Sequence, residues 1–304
     1  GNWVGFHPPG WFSKIVPLQQ CPIASDGINR VVAAIAAEVP GPAWDNHTHR
    51  GHWRHVVIRE GNSLVVNLVT HPDADSNQVK AVGARIAALN GVGGVIWTVT
   101  DRLSDVAQGS VRAQLAGEPN VVMEMNGVKM TLPHDAFFQV NTDGAHVLFE
   151  IIKEALGETQ GSTLLDLYCG VGAIGLIVGQ RFQRVIGIEL LAAAIDVARH
   201  NADQNGISSE WYAGAVEDIL PKLSIEGSRH IVVDPPRAGL HPKAAQFLAS
   251  MSGEVLVYVA CSPSSLARDR RLLEEGGWRL ERLWTIDLFP QTPHVESVAR
   301  FVRR

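Results

Sequence analysis

Residues 163–175 read Thr-Leu-Leu-Asp-Leu-Tyr-Cys-Gly-Val-Gly-Ala-Ile-Gly, an apolar run at 163–167 that passes through Gly170, Gly172 and Gly175 into a helical pattern at about 172–180. Glycines at this spacing between a strand and a helix let backbone approach a ligand closely. Working outward, apolar runs at 185–188, 209–212, 231–233 and 255–259 alternate with helical patterns at 191–204, 241–250 and 264–275. That alternation is the pattern of βαβ units and a parallel sheet. Two further strands, 279–288 and 295–302, are joined by 289–294 and are expected to form an antiparallel hairpin on the sheet edge. We therefore read an α/β fold with a Rossmann-like doubly wound domain over residues 135–304.

Residues 1–134 mix the two periods and predict a smaller α+β domain. Helical patterns cover 28–39, closed by Pro40-Gly41-Pro42, and 79–89, where Val79, Val82, Ile86 and Leu89 share a face. Strands are expected at 55–58, 64–69, 94–99 and 121–125, with turns at Gly61-Asn62 and Asn126-Gly127. No internal repeat stands out.

The 304 residues are 46% hydrophobic and 19% charged, and no apolar run reaches the roughly 20 residues needed to span a bilayer. Residues 1–9 lack the basic and apolar regions of a secretory leader, which points to the cytoplasm. Cys21, Cys169 and Cys261 are too few for a disulfide framework and lack zinc-site spacing. A formal charge of -5 gives no general attraction to phosphate, so composition alone argues weakly against nucleic acid.

Glu189 ends the strand that follows the glycine loop, where a carboxylate can accept from both hydroxyls of a ribose. Loop and carboxylate together indicate a nucleoside cofactor. A nicotinamide cofactor, and with it an oxidoreductase, stays open on this evidence. S-adenosylmethionine is favoured because Asp166 precedes the glycines, placed for a cationic amino-acid end, and no dehydrogenase-like His or Lys follows. Cys169, inside the loop, reads as a small packed residue.

Open α/β sheets bind ligands at the carboxyl ends of their strands. Asp234 and Cys261 fall there, and the C-terminal hairpin adds His294 and Glu296. Asp234-Pro235-Pro236 resembles the acid-Pro-Pro motif of amine methyltransferases, but Arg237 follows where those enzymes carry an aromatic residue. A cysteine nucleophile suits a target carbon that is not itself nucleophilic, such as C5 of a pyrimidine. Addition at C6 turns C5 into the carbon of an enolate. A base must then remove the C5 proton, and Glu296 is the candidate.

Residues 134–142 (HDAFFQVNT), 166–175, 234–241 (DPPRAGLH), 258–263 (YVACSP) and 287–296 (DLFPQTPHVE) resemble the RNA uracil-5-methyltransferase family in matching order. Gly51-His52-Trp53-Arg54 and the DLFPQTPH stretch look most like the eukaryotic-type branch that makes 5-methyluridine at position 54 of tRNA. The resemblance implies a class I S-adenosylmethionine-dependent methyltransferase domain, with Cys261 as nucleophile and Glu296 as base. It implies Gln139, Asp166, Tyr168, Gly170, Gly172, Glu189 and Asp234 on the cofactor, and Asp234, Arg237, Gln139 and His294 near the RNA base. The RNA partner is tRNA by this reading, with 23S ribosomal RNA as the alternative. A non-catalytic RNA-binding protein of the same fold is the rival from another class.

The chain also departs from the family. Ala173 and Ala215 stand where bacterial ribosomal members usually carry Asn, or Asn or Asp, so neither side chain can make the usual polar contact. Those members usually carry an N-terminal TRAM domain, and some hold an iron-sulfur cluster on four cysteines. Here Cys21 alone matches a ligand, and one cysteine cannot hold a cluster. His47, His49, His52 and His55 read as a solvated loop before a metal set. Trp44, Trp53 and Trp97 could stack on RNA bases or pack internally. Phe137 and Phe138 are expected to pack and hold Gln139.

Overall fold

A computed structural model describes every residue except 1–3, 9, 12–13, 160, 226–228 and 304. The reading of residues 1–9 as free of a leader therefore lies partly outside the described residues. The chain divides into two compact units, Gly1–Met123 with Leu132–Asp135, and Glu124–Thr131 with Ala136–Arg304.

In the first unit, β1 (Gly5–Phe6) pairs antiparallel with β2 (Val16–Pro17). Ser25 caps α1 (Asp26–Glu38) by accepting from the Ile28 N–H, and Asp75 caps α2 (Ser76–Ala87) in the same way. A four-stranded sheet runs β3 (Trp53–Glu60), β4 (Leu64–Thr70), β5 (Val92–Val99), β6 (Ser110–Gly117), and α2 is the crossover between parallel β4 and β5. The helices bury Val31, Ile35, Val82 and Ile86 against Val66, Leu68 and Trp97 of the sheet. Trp97 is thus core, its Nε1 donating to Thr70 Oγ1 at 2.8 Å, and it is not available for stacking. β6 has no counterpart in the sequence reading, although Val111, Ala113 and Leu115 alternate with Ser110, Arg112 and Gln114; all of its residues are exposed or half-buried. β7 (Asn120–Met125) and β8 (Val128–Pro133) form a hairpin whose turn residues Asn126 and Gly127, at φ 50° and 78°, take the left-handed values of a type I′ turn.

The second unit contains α3 (Thr142–Leu156), β9 (Thr163–Leu167), α4 (Ala173–Gly179), β10 (Arg184–Glu189), α5 (Ala192–Gln204), β11 (Glu210–Ala213) and the single turn α6 (Val216–Ile219). It continues with β12 (Arg229–Val233), α7 (Pro242–Ser250), β13 (Val255–Ala260), α8 (Pro263–Glu275), β14 (Trp278–Ile286) and β15 (Glu296–Arg303). Its sheet runs β11-β10-β9-β12-β13-β15-β14, with the first five strands parallel. This is the Rossmann-like, doubly wound arrangement expected from the sequence. Strand order reverses on either side of β9, which opens the crevice where ligands bind.

The C-terminal strands pair antiparallel, but the later one is not at the edge. β15 lies between β13 and β14, with Ala260 opposite Ser297 and Ile286 opposite Glu296. α3 also has no counterpart in the sequence reading, although Ala145, Leu148, Phe149, Ile152 and Leu156 form one buried stripe and Asn141 caps it. No helix of the described residues is long and apolar enough to cross a membrane.

Candidate active site at the carboxyl ends of the sheet

The glycine loop is held from below by Asp166. Its Oδ2 accepts from the Gly175 N–H at 2.7 Å, while Oδ1 is buried without a hydrogen-bond partner. Burial pushes this carboxyl up to about 7, the Gly175 N–H works against the rise, and the charges of Asp234 and Glu189 add to it. Gly170 (φ 54°) and Gly172 (φ 80°) take left-handed values, and a Cβ on Gly172 would meet Trp211 at 2.8 Å. Tyr168 adopts φ 63° at the start of the turn. Glu189 accepts from the Gly170 N–H at 3.2 Å and the Leu191 N–H at 3.0 Å, so its carboxylate closes the loop from the neighbouring strand.

Beside this loop lies a cavity of about 740 Å³, within the range that takes a nucleoside-sized ligand. Tyr168 and Glu189 line it at the β9 and β10 ends, and Glu217, Pro236 and His241 line it farther along the sheet. Asp166 and Asp234 do not line it.

The second cluster forms where β12, β13 and β15 end. Asp234, after β12, donates its N–H to the Leu167 carbonyl at 3.2 Å, and burial pushes its carboxyl up to about 7. Glu296 is 3% exposed; burial, and then the charge of Asp234, push it up to about 7. The Cys261 thiol is raised by burial and then by Glu296 and Asp234, while the Arg237 guanidinium, hydrogen-bonded to it, acts in the opposite direction. Arg237 Nη2 in turn lies 3.0 Å from His294 Nδ1. Asp234, Arg237, Cys261, His294 and Glu296 therefore form one connected group. Gln139 makes no hydrogen bond to a described residue, although Asn141, two residues on, donates to the Leu288 carbonyl at 3.2 Å.

Two residues outside the sequence reading set the shape of this edge. Asp269, on α8, is 1% exposed and accepts from the Leu240 N–H at 2.8 Å and the Tyr258 hydroxyl at 2.7 Å. Arg268 bonds Asp269 Oδ1 and donates to the Ala238 carbonyl at 2.7 Å. The backbone following Arg237 is thus pinned at two points. Nothing in the charged stretch Arg268-Asp269-Arg270-Arg271 signals a buried acid, because its partners lie elsewhere in the chain.

Other expectations divide. Phe138 is buried at 6% exposure, but Phe137 is 75% exposed and does not pack. Cys169 is buried, and burial raises its thiol well above the usual range, as fits a packed residue. Trp53 donates to the Pro40 carbonyl, and Trp44 carries the Arg54 guanidinium 4.3 Å above its ring. Among the described residues no group of three or more His, Cys, Asp or Glu could hold a metal ion.

The sequence profile of the tRNA (uracil-5-)-methyltransferase family matches residues 13–213 and 216–304. The chain belongs to that family. An uncharacterized RNA methyltransferase of Clostridium tetani is 33% identical over 99% of this chain and 68% of its own length. One from Caldanaerobacter subterraneus is 32% identical over 97% of the chain and 67% of its own. The chain thus spans about two thirds of these relatives. The Pyrococcus abyssi tRNA (uracil-54, C5)-methyltransferase, solved with S-adenosyl-L-homocysteine, superposes with a TM-score of 0.82 at 29% identity. It covers 99% of this chain and 73% of the Pyrococcus chain.

As a tRNA (uracil-5-)-methyltransferase family member the protein is an RNA methyltransferase that uses S-adenosylmethionine. The site fits this cofactor. A Cβ at Gly170 would meet nothing within 4 Å, so the backbone there is open to close approach, the Glu189 carboxylate borders the cavity, and Asp166 Oδ1 is a buried oxygen without a partner at the loop.

Proposed function

We propose that the protein forms 5-methyluridine at position 54 of the tRNA T-loop in the cytoplasm, with Cys261 as nucleophile and Glu296 as base. The observation that carries this reading is the coupled group of Asp234, Arg237, Cys261 and Glu296 at one end of the sheet. The family description and the activity printed for the Pyrococcus structure support tRNA as substrate.

Bound S-adenosylmethionine supplies an electrophilic methyl group. The Cys261 thiolate adds to C6 of the uracil, the pyrimidine electrons move onto O4, and C5 becomes the nucleophilic carbon. Arg237, paired with the thiol, favours its charged form against the two carboxylates. Once C5 carries the methyl group, Glu296 removes the remaining C5 proton, the C6–S bond breaks and the thiolate is restored. Ionised, Glu296 can take that proton; raised to about 7, it also holds it well enough to act near neutral pH. Asp234, Arg237, Gln139 and His294 hold the base. Asp166, Tyr168, Gly170, Gly172 and Glu189, with Gln139 and Asp234, hold the cofactor. Residues 135–304 form the catalytic domain, and residues 1–134 contact the folded RNA. A stacked uridine must be extruded to reach Cys261.

The test is transfer of labelled methyl from S-adenosylmethionine to unmodified tRNA and to a 23S ribosomal RNA fragment, followed by mapping of 5-methyluridine. Label at position 54 of tRNA is expected. Label in the ribosomal fragment alone would overturn the tRNA assignment, and no label in either would overturn the uracil chemistry.

A further inference from the structure

Four buried side-chain nitrogens without a hydrogen-bond partner gather between residues 44 and 55: Trp44 Nε1, His52 Nδ1, and Nε and Nη1 of Arg54. Polar groups buried unpaired are costly. The imidazole nitrogen can donate or accept, but the other three can only donate. Arg54 keeps one bond to the protein, from Nη2 to the Ser104 carbonyl at 3.2 Å, and its guanidinium lies 4.3 Å above the Trp44 ring. Burial disfavours its charge, while the charges of Asp105 and Asp101 work the other way without bonding it. Asp105 is taken instead by His7 Nε2 at 2.7 Å and His55 Nε2 at 3.4 Å. What this part of the first unit lacks is an acceptor, and an anionic one answers the guanidinium best.

The Trp44 ring is itself occupied. His71 stacks on it at 5.3 Å and His49 at 6.2 Å, in addition to Arg54, so an RNA base has no open face to stack on. The cover over Arg54 is thin. Residues 101–106, which include Ser104, are exposed throughout, and a stronger acceptor can displace that carbonyl.

We infer that Arg54, on its Trp44 platform, binds a backbone phosphate of the RNA, with Trp44 Nε1 as a second, neutral donor. This rests on the reading that residues 1–134 contact the folded RNA. Phosphate oxygens only accept, and a planar guanidinium presents paired N–H groups to them. Such a contact is blind to sequence, so it fixes where the RNA lies and not which uridine reacts. In a chain of formal charge -5, one built contact counts for more than diffuse attraction.

Fluorescence anisotropy of unmodified tRNA with wild type, R54A, R54K, W44F and R85A, between about 50 and 200 mM KCl, tests the assignment. R54A should weaken binding about tenfold and reduce the slope of log affinity against log salt by about 1. R54K keeps the charge but not the fork, so its slope should match wild type while affinity falls about threefold. W44F keeps a ring under the guanidinium and removes only the N–H, with about a threefold loss and no change in slope. R85A, whose partner is Glu38, should change neither quantity. Affinity for S-adenosyl-L-homocysteine should stay within about twofold in every variant, which separates a lost RNA contact from a damaged fold. An R54A slope equal to that of wild type, or wild-type affinity in both R54K and W44F, overturns the assignment and leaves the RNA reading standing. Wild type that binds neither tRNA nor the ribosomal fragment overturns the RNA-contact reading, and this inference with it.

Discussion

Glu296 stands opposite Cys261 at the ends of two antiparallel strands: the register pairs Ser297 with Ala260, one residue inward on each strand, and the carboxylate opposes ionisation of the thiol. In the proposed mechanism, a base so placed meets the same pyrimidine ring that the sulfur meets. If Glu296 removes the C5 proton, Glu296→Gln keeps shape and hydrogen bonding but cannot accept that proton. Elimination should stall, giving an RNA adduct on Cys261 that survives denaturing electrophoresis and carries labelled methyl. Release of free methylated RNA at the wild-type rate would remove Glu296 from the role.

Cys261→Ala should abolish methyl transfer while leaving S-adenosyl-L-homocysteine affinity within about twofold, since the thiol does not line the cofactor cavity. Cys169→Ala should cost far less activity, because that thiol is buried and held protonated. Comparable losses from the two variants would show that the wrong cysteine was chosen.

Asp234 and Glu296, each held near 7, bind protons more tightly in the folded chain than in the unfolded one. Their contribution to stability is full below the ordinary carboxylate range and is lost as pH rises through about 7. Asp234→Asn should therefore raise the melting midpoint at pH 8 by ~3 °C or more and change it little at pH 4. A midpoint that falls at pH 8 would show that the charged form is stabilised in the fold.

Asp269→Ala leaves the Leu240 N–H and the Tyr258 hydroxyl without their acceptor. A loss of ~2–4 kcal/mol in unfolding free energy is expected from urea titration. Asp269→Asn retains an acceptor oxygen and should recover part of that loss. Equal stability of wild type and the alanine variant would mean that the loop does not depend on this contact.

The parallel sheet was legible because its signals are local. The glycines of 170–175, the apolar strands and the intervening amphipathic helices each announce themselves within a dozen residues. Cys261 and Glu296 were legible as chemistry through the motifs around them, but their adjacency depends on strand register, which no spacing encodes. Asp269 was hidden because a carboxylate in a run of arginines looks like a solvated face; its burial depends on Leu240 and Tyr258, which precede it in the chain. Phe137 misled in the other direction. An aromatic pair suggests packing, yet only Phe138 turns inward.

The position of β15 between β13 and β14 also orders events during synthesis. β14 emerges from the ribosome first but pairs with β15 and not with β13, so it has no place in the sheet until residues 296–303 have been made. The same late strand carries Glu296. A nascent chain halted before it can complete the glycine loop and its neighbouring parallel strands, yet still lacks the carboxylate at the thiol. Completion of the sheet and arrival of the Glu296 carboxylate are then one folding step.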